Sequence, residues 1–306
     1  MGLLKRRRSK GILPQHTFVI TTKVCSFCYT GTSTATAREP LLLLGYANFA
    51  YSCKETAYVQ RKPIFIKLNY YSRSWRVGGN NMSLDSKQQM IYYNPLASDK
   101  DVSGFRLEGE ASVSFSNGTM RMENKLDPAE GQASNFVFWC PEDFPSDIRV
   151  TWDFRPIREP GLCMLFFAAS GRLGEDLFAP HLARRTGQYE HYHSGDINTL
   201  HVSYFRRRYP EERAFHTCNL RKSYGAHLVC QGADPIPSVE DTPGTYRMEL
   251  IKRGEYIAFA VNDLTVFRWT DDGQTYGPIL GGGKIGFRQM APLVGEYANL
   301  TVYSLD

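Results

Sequence analysis

The sequence predicts an all-β fold, a sandwich or barrel of short antiparallel strands, and three observations carry that prediction. From Ile91 onward, apolar and polar residues alternate with a period of two in one segment after another. Turn signals separate these segments at intervals of about 8–12 residues, the spacing of sandwich and barrel folds. Composition agrees: 26 glycines, 16 prolines, 18 tyrosines and 18 phenylalanines in 306 residues favour turns and pleated strands over a helical bundle.

Taken in order, Phe105-Arg-Leu-Glu-Gly and Ala111-Ser-Val-Ser-Phe-Ser read as strands, and Asn117-Gly118 as the hairpin turn into Thr119-Met-Arg-Met-Glu. Asn135–Cys140, Ile148–Phe154 and Gly161–Ala169 follow; the last is apolar throughout, which predicts burial on both faces. Further strands are expected at Leu200–Arg206, Ala214–Arg221, His227–Cys230, Tyr246–Lys252, Tyr256–Val261, Leu264–Trp269, Lys284–Gln289 and Tyr297–Tyr303. Leu173–Arg185 is the one segment expected to form a short helix.

Residues 1–81 break the pattern. They share no period of 2 or 3.6, although Ile64–Tyr71 has strand character. They hold 13 Lys/Arg against two acidic residues, whereas 82–306 holds 23 against 29, a net charge of −6. The overall charge of +5 therefore belongs to the first quarter, and no nucleic-acid partner is expected for the folded part. The expected organisation is a basic extension over 1–81, disordered or upstream of the true start, followed by a folded domain over 82–306. No apolar run approaches the roughly 18 residues of a membrane span, so no membrane partner is expected. Seven irregularly spaced cysteines do not suggest a disulfide framework, and a cytoplasmic chain is the simplest reading.

Chemistry concentrates in residues 189–222. Five of the seven histidines (His191, His193, His201, His216 and His227) fall between 191 and 227, interleaved with Tyr, Asn, Asp and Arg. These side chains donate and accept toward sugars, carboxylates or a reacting proton. Alternation puts His201 and Ser203 on one face of their strand and Tyr204 and Arg206 on the other. In the next strand it sets His216 and Cys218 against Asn219 and Arg221. Tyr204, Arg206, Asn219 and Arg221 are expected to share one sheet face, with His201 and His216 on the other. Burying so many polar groups is costly unless they are paired, and a ligand-facing sheet accounts for them with less difficulty than the alternative, a hydrogen-bonded structural network.

Other motifs weigh less. His191-x-His193 has the spacing of a metal pair on a strand, but Ser194-Gly195-Asp196 marks a turn, and neither metal nor cofactor is expected. Cys25-x-x-Cys28 lacks a second pair. Arg206–Arg208, Arg184-Arg185 and Arg221-Lys222 are candidate anion clamps or solvated edges. Trp139 is a candidate sugar platform or a core residue. Adjacent Glu175-Asp176 would diverge by about 100° on a helix, unlike the facing carboxylates of glycosidases.

Several motifs together are long enough to be specific. They are Phe138-Trp-Cys-Pro-Glu, Thr151-Trp-Asp-Phe, Pro160-Gly-Leu-Cys-Met-Leu-Phe-Phe-Ala-Ala, Gly174-Glu-Asp-Leu-Phe, Tyr192-His-Ser-Gly-Asp-Ile-Asn, Ser203-Tyr-Phe-Arg-Arg, Thr217-Cys-Asn-Leu-Arg-Lys-Ser, Gly232-Ala-Asp-Pro and Ile285-Gly-Phe-Arg-Gln-Met-Ala-Pro. From about Met90 to Tyr303 the chain resembles the YesU-like family of bacterial proteins. The resemblance implies a concanavalin A-like jelly-roll β-sandwich and an association with rhamnogalacturonan (pectin) utilisation. It implies no catalytic residues. Polysaccharide lyases on such folds use a Tyr or His base with Arg or Asn neutralising the uronate, an analogy of fold only.

The sequence thus leads to a carbohydrate-active protein acting on acidic plant-wall oligosaccharides by β-elimination or hydrolysis, or else a lectin-like module that only binds them. His193, His201, Tyr204 and His216 are the candidate acid–base groups. Tyr192, Asp196, Asn198, Arg206, Asn219, Arg221, Arg288, Gln289 and Trp139 are the candidate contacts to an oligosaccharide ligand.

Overall fold

The computed structural model describes residues 88–305 in full, with residues 75–77 and 80–82 as backbone strands. The expectations for the rest of 1–81, including Ile64–Tyr71 and the Cys25/Cys28 pair, lie outside the described residues. β1 (Trp75–Val77) and β2 (Asn80–Met82) pair with each other. Then come β3 (Gln88–Asn94), β4 (Arg106–Glu108), β5 (Ala111–Ser116), β6 (Thr119–Asn124), β7 (Phe136–Trp139), β8 (Ile148–Arg158), β9 (Leu162–Gly171), β10 (Ile197–Tyr204), β11 (Thr217–Ser223), β12 (His227–Ala233), β13 (Tyr246–Arg253), β14 (Tyr256–Val261), β15 (Leu264–Thr270), β16 (Lys284–Met290) and β17 (Val294–Leu305). Two single helical turns, α1 (Glu190–His193) and α2 (Pro210–Ala214), sit in the connections either side of β10.

The strands form two antiparallel sheets. One runs β12-β11-β10-β9-β16-β7-β4; the other runs β15-β14-β13-β8-β17-β6-β5, with β3 pairing β17. The two-residue hairpins Asn117-Gly118 and Asn262-Asp263 have positive φ at both positions, the twist-matched turn their sequences predict. β3 was not anticipated: Met90, Ile91 and Tyr93 are exposed, so no buried stripe marks it.

The core lies between the sheets. Leu165 and Phe167 of β9, Val202 and Tyr204 of β10, and Leu220 of β11 meet Trp152, Phe154, Leu250 and Phe259 of the opposite sheet. Each such side chain contributes about 1.5–3 kcal/mol by leaving water. Tyr204 is part of this core, its hydroxyl accepting from the Trp152 indole N–H at 3.2 Å. Gln289 also faces inward, donating to the carbonyls of Met122 and Leu293 at 3.1 and 3.2 Å.

The seven-stranded sheet is covered on its other face as well. Residues 172–196 fold across it and lay Leu177 and Tyr192 onto Val137, Trp139, Met164, Phe166 and Met290. This is why β9 is buried on both faces, as its unbroken apolar run predicts. The expected helix over Leu173–Arg185 is absent; the segment is a series of turns. Gly174 and Pro180 interrupt helical geometry, and Leu177, Phe178 and Leu182 reach the sheet from a looped path.

Candidate functional site

Register, which alternation does not specify, decides which polar residues meet. Ser203 pairs with Asn219 and His201 with Arg221 across β10 and β11. On the other side, Ser203 pairs with Met164 and His201 with Phe166. Arg288 then pairs with Met164, and Gly286 with Phe166. Two parallel rows therefore cross the outer face of the seven-stranded sheet: Asn219, Ser203, Met164, Arg288, and beside it Arg221, His201, Phe166, Gly286, Trp139. A side chain at Gly286 would strike the Trp139 ring, so glycine lets that ring lie flat on the sheet.

The expected faces are corrected in two respects. His201 shares a face with Asn219 and Arg221, and Tyr204 lies on the opposite, interior face. Arg206 returns to the outer face because Phe205 adopts φ 47°, held there by its N–H donating to Asp234 Oδ2 at 2.8 Å. That left-handed residue breaks the alternation. Arg206 then donates to Thr217 Oγ1 at 2.7 Å and Glu212 Oε1 at 2.6 Å. Its neighbour Arg207 is buried with Asp234 at 3.3 Å, so the arginine run is largely an internal ion-pair network.

Over these rows the covering segment places Tyr189. Its hydroxyl is 3.1 Å from His201 Nε2, and Arg288 stands 5.3 Å from the centre of its ring. The His193 ring packs 4.5 Å from Tyr189. His201 is fully buried, and among the described residues its Nδ1 has no hydrogen-bond partner. Burial holds its pKa well below the usual imidazole value, with Arg221, Arg288 and His193 adding to the depression. His193 is lowered for the same reasons, burial first, although Glu190 opposes the effect. Burial raises the Tyr189 phenol, and Arg221, Arg288 and Arg206 pull it back.

Arg288 is the most unusual group on this face. It is 0% exposed, and Nη2 donates to Gln132 Oε1 at 3.0 Å and to the Gly187 carbonyl at 3.1 Å. Among the described residues, Nε and Nη1 have no hydrogen-bond partner. Burial draws its pKa down to about 10, still far above neutrality, so it remains a cation. Among the described residues neither Arg288 nor Arg221 forms an ion pair; Arg221 Nη1 donates to the Ala226 carbonyl at 2.7 Å. An uncompensated buried charge costs several kcal/mol unless something supplies the opposite sign.

Around this centre, the Asn219 amide lies between Gln231 Nε2 at 2.7 Å and Arg206 Nη1 at 3.0 Å. Several residues expected at the site do other work. Trp139 is buried, donating to Glu108 Oε2 at 2.9 Å, and presents no platform to solvent. Tyr192 donates to the same oxygen at 2.9 Å, and Arg185 forms an ion pair with Glu108 at 2.8 Å. Glu108 thereby pins the covering segment. Asp196 braces it too, accepting from the Ala183 N–H at 2.7 Å. His216 precedes β11, its carbonyl accepting from the Asp234 N–H, away from the two rows. Asn198 donates to the Arg172 carbonyl at 3.3 Å and lines a separate cleft.

His191 and His193 lie in the α1 turn instead of on a strand, and His191 Nδ1 accepts from the Thr186 N–H at 3.2 Å. Among the described residues no group of three or more His, Cys, Asp and Glu is placed to hold a metal. No helix among them is long and apolar enough to cross a membrane. Sequence reasoning passed over Tyr189 and Gln132. Tyr189 opens the polar stretch, but only the fold of 172–196 brings it onto His201.

Two relatives are similar to this chain. The curated "Uncharacterized protein YesU" of Bacillus subtilis (strain 168) is 57% identical over 213 residues, 70% of this chain and 94% of its own length. A crystal structure of a Bacillus subtilis protein of unknown function with a galectin-like fold superposes with a TM-score of 0.69 at 56% identity. It covers 71% of this chain and 97% of its own. The two sheets and this relative establish a concanavalin A-like, galectin-like β-sandwich. Residues 89–302 match the model of a domain of unknown function, DUF1961. With that match and its close YesU relative, the chain belongs to the DUF1961, YesU-like family.

Proposed function

We propose that this chain is a carbohydrate-active protein that holds a uronate-containing oligosaccharide against the Tyr189–His201 pair and cleaves it by β-elimination. One observation carries the reading: a hydrogen-bonded tyrosine–histidine pair stands beside Arg288, a buried cation with two vacant donor atoms and no counter-ion among the described residues. The forked guanidinium suits a planar carboxylate.

The chemistry follows from that placement. Arg288 and Arg221 hold the uronate carboxylate and stabilise the charge that develops when the adjacent C–H is ionised. The Tyr189 oxygen takes that proton while its own phenolic proton passes to His201 Nε2. The electron pair of the C–H bond becomes the C=C double bond, and the bond to the glycosidic oxygen on the neighbouring carbon breaks. The proton returns through Tyr189 to the leaving oxygen, so no water is consumed. A carboxylate bound between the arginines also offsets the two cations that, after burial, depress His201. Hydrolysis has less support. Glu212 is held by Arg206, and Glu108 by Arg185, Trp139 and Tyr192, which leaves no facing carboxylate pair on these rows.

A binding module without turnover is the second reading, favoured by the complete burial of His201 and its low proton affinity. Incubation with pectic oligosaccharides, followed by ultraviolet absorbance and product masses, separates the two. Elimination predicts an absorbing unsaturated product whose masses sum to that of the substrate, with turnover lost in Tyr189→Phe and binding kept. A gain of one water would replace elimination with hydrolysis, and binding without product would leave the lectin-like reading.

A further inference from the structure

A second cleft opens at the end of the sandwich where β10 begins, β11 ends and β12 begins. It encloses about 420 Å³, within the range of about 300–1,000 Å³ typical of small-molecule sites. Arg172, Asn198, Ser223, Tyr224, His227 and Tyr276 line it. Two aromatic surfaces face it: Tyr276 stacked on His227 at 4.6 Å and 29°, and Tyr224 beneath the Arg172 guanidinium at 4.2 Å. Tyr224 and Tyr276 are 45% and 37% exposed, so neither ring is used up in the core.

The cleft is also polar in a specific way. Ser223 is 1% exposed, and among the described residues its hydroxyl has no hydrogen-bond partner. Lys222 is neutralised at the cleft wall by Asp271 at 2.7 Å. Among the described residues Arg172 forms no ion pair. Aromatic faces combined with a vacant hydroxyl, an amide and a guanidinium suit one class of ligand, a ring with an apolar face and a hydroxyl-bearing rim.

We infer that this cleft is a sugar-ring binding subsite, separate from the Tyr189–His201 centre. The turn 224–226 links the two: Gly225 N–H donates to the His193 carbonyl, and the Ala226 carbonyl accepts from Arg221. The inference stands without the proposed elimination, because none of its lining residues belongs to that centre.

The test is saturation-transfer NMR on the full chain with a panel of neutral and acidic pectic sugars, from monosaccharides to hexasaccharides. Tyr276→Ala and Arg172→Ala both alter exposed side chains and leave the core intact. The expected result is saturation of at least one panel sugar that persists in Tyr189→Phe. Each cleft variant should weaken its affinity by about tenfold or more, the loss of one stacking face or one charged contact. Signals unchanged in both cleft variants, or no signal from any panel member, would overturn the inference. If the cleft signal survives while no acidic sugar is cleaved or held at Arg288, the proposed function fails and the cleft assignment stands.

Discussion

At the scale of single residues, Arg288 sets the character of the site. Its guanidinium is sealed into the sheet face with two neutral acceptors and no carboxylate, an arrangement that folding alone disfavours. On the proposed function, a ligand carboxylate offsets that cost. Arg288→Met keeps much of the volume and removes the unpaired charge. It should therefore raise the stability of the free protein by about 1 kcal/mol or more while weakening anionic ligands. Urea unfolding measures the first effect, and a clear loss of stability would mean that Arg288 is structural. His201, Asn219, Arg221 and Arg288 were legible in the sequence because polar groups at strand positions demand an explanation. Their grouping was not. Alternation separates the faces of one strand but says nothing of which face its neighbour presents, and the connection from 205 to 216 sets that register. Tyr204 and Gln289 alternate inward with Val202 and Phe287, where the Tyr204 hydroxyl accepts from Trp152 and Gln289 Nε2 donates to backbone carbonyls. Composition alone cannot distinguish that from a ligand contact.

At the scale of elements, the candidate site is covered by a segment whose only regular structure is the single turn α1. Residues 172–196 carry Tyr189 and His193 over the sheet, and the short edge strand β4 holds them through Glu108. That carboxylate accepts from Trp139 and Tyr192 and pairs with Arg185, whose side chain is 5% exposed. Glu108→Ala would strand Arg185 without its partner and free two further donors. Breaking a buried pair in this way costs about 3–5 kcal/mol, and partial exposure of Glu108 places the expected loss near about 3 kcal/mol. Chemical denaturation gives the magnitude, and protease cleavage within 172–196 should accelerate alongside it. A loss below about 1 kcal/mol with unchanged proteolysis would show that the segment is held by its apolar contacts alone. The strands were readable because period-two alternation and turn residues such as Asn117-Gly118 are local signals. The covering segment was not, because Leu177, Phe178 and Leu182 bury themselves through tertiary contact, and their spacing was read as a helix.

At the scale of the whole molecule, the sign of the charge is inverted where it counts. Residues 82–306 carry 23 basic and 29 acidic residues, yet the outer face of one sheet sets Arg221 and Arg288, neither in an ion pair among the described residues, beside a neutral tyrosine–histidine pair. A cationic focus on an acidic domain draws an anionic ligand to one place and discourages it elsewhere. On the proposed function, this face recognises a sugar carboxylate. Calorimetric titration of an oligogalacturonide, compared with the same oligosaccharide after reduction of its carboxylates to alcohols, tests it most directly. Binding of the acidic form should weaken with added salt, fall at least about tenfold in Arg288→Met, and be far weaker for the reduced form. Equal affinity for both forms, or acidic binding untouched by Arg288→Met, would contradict it.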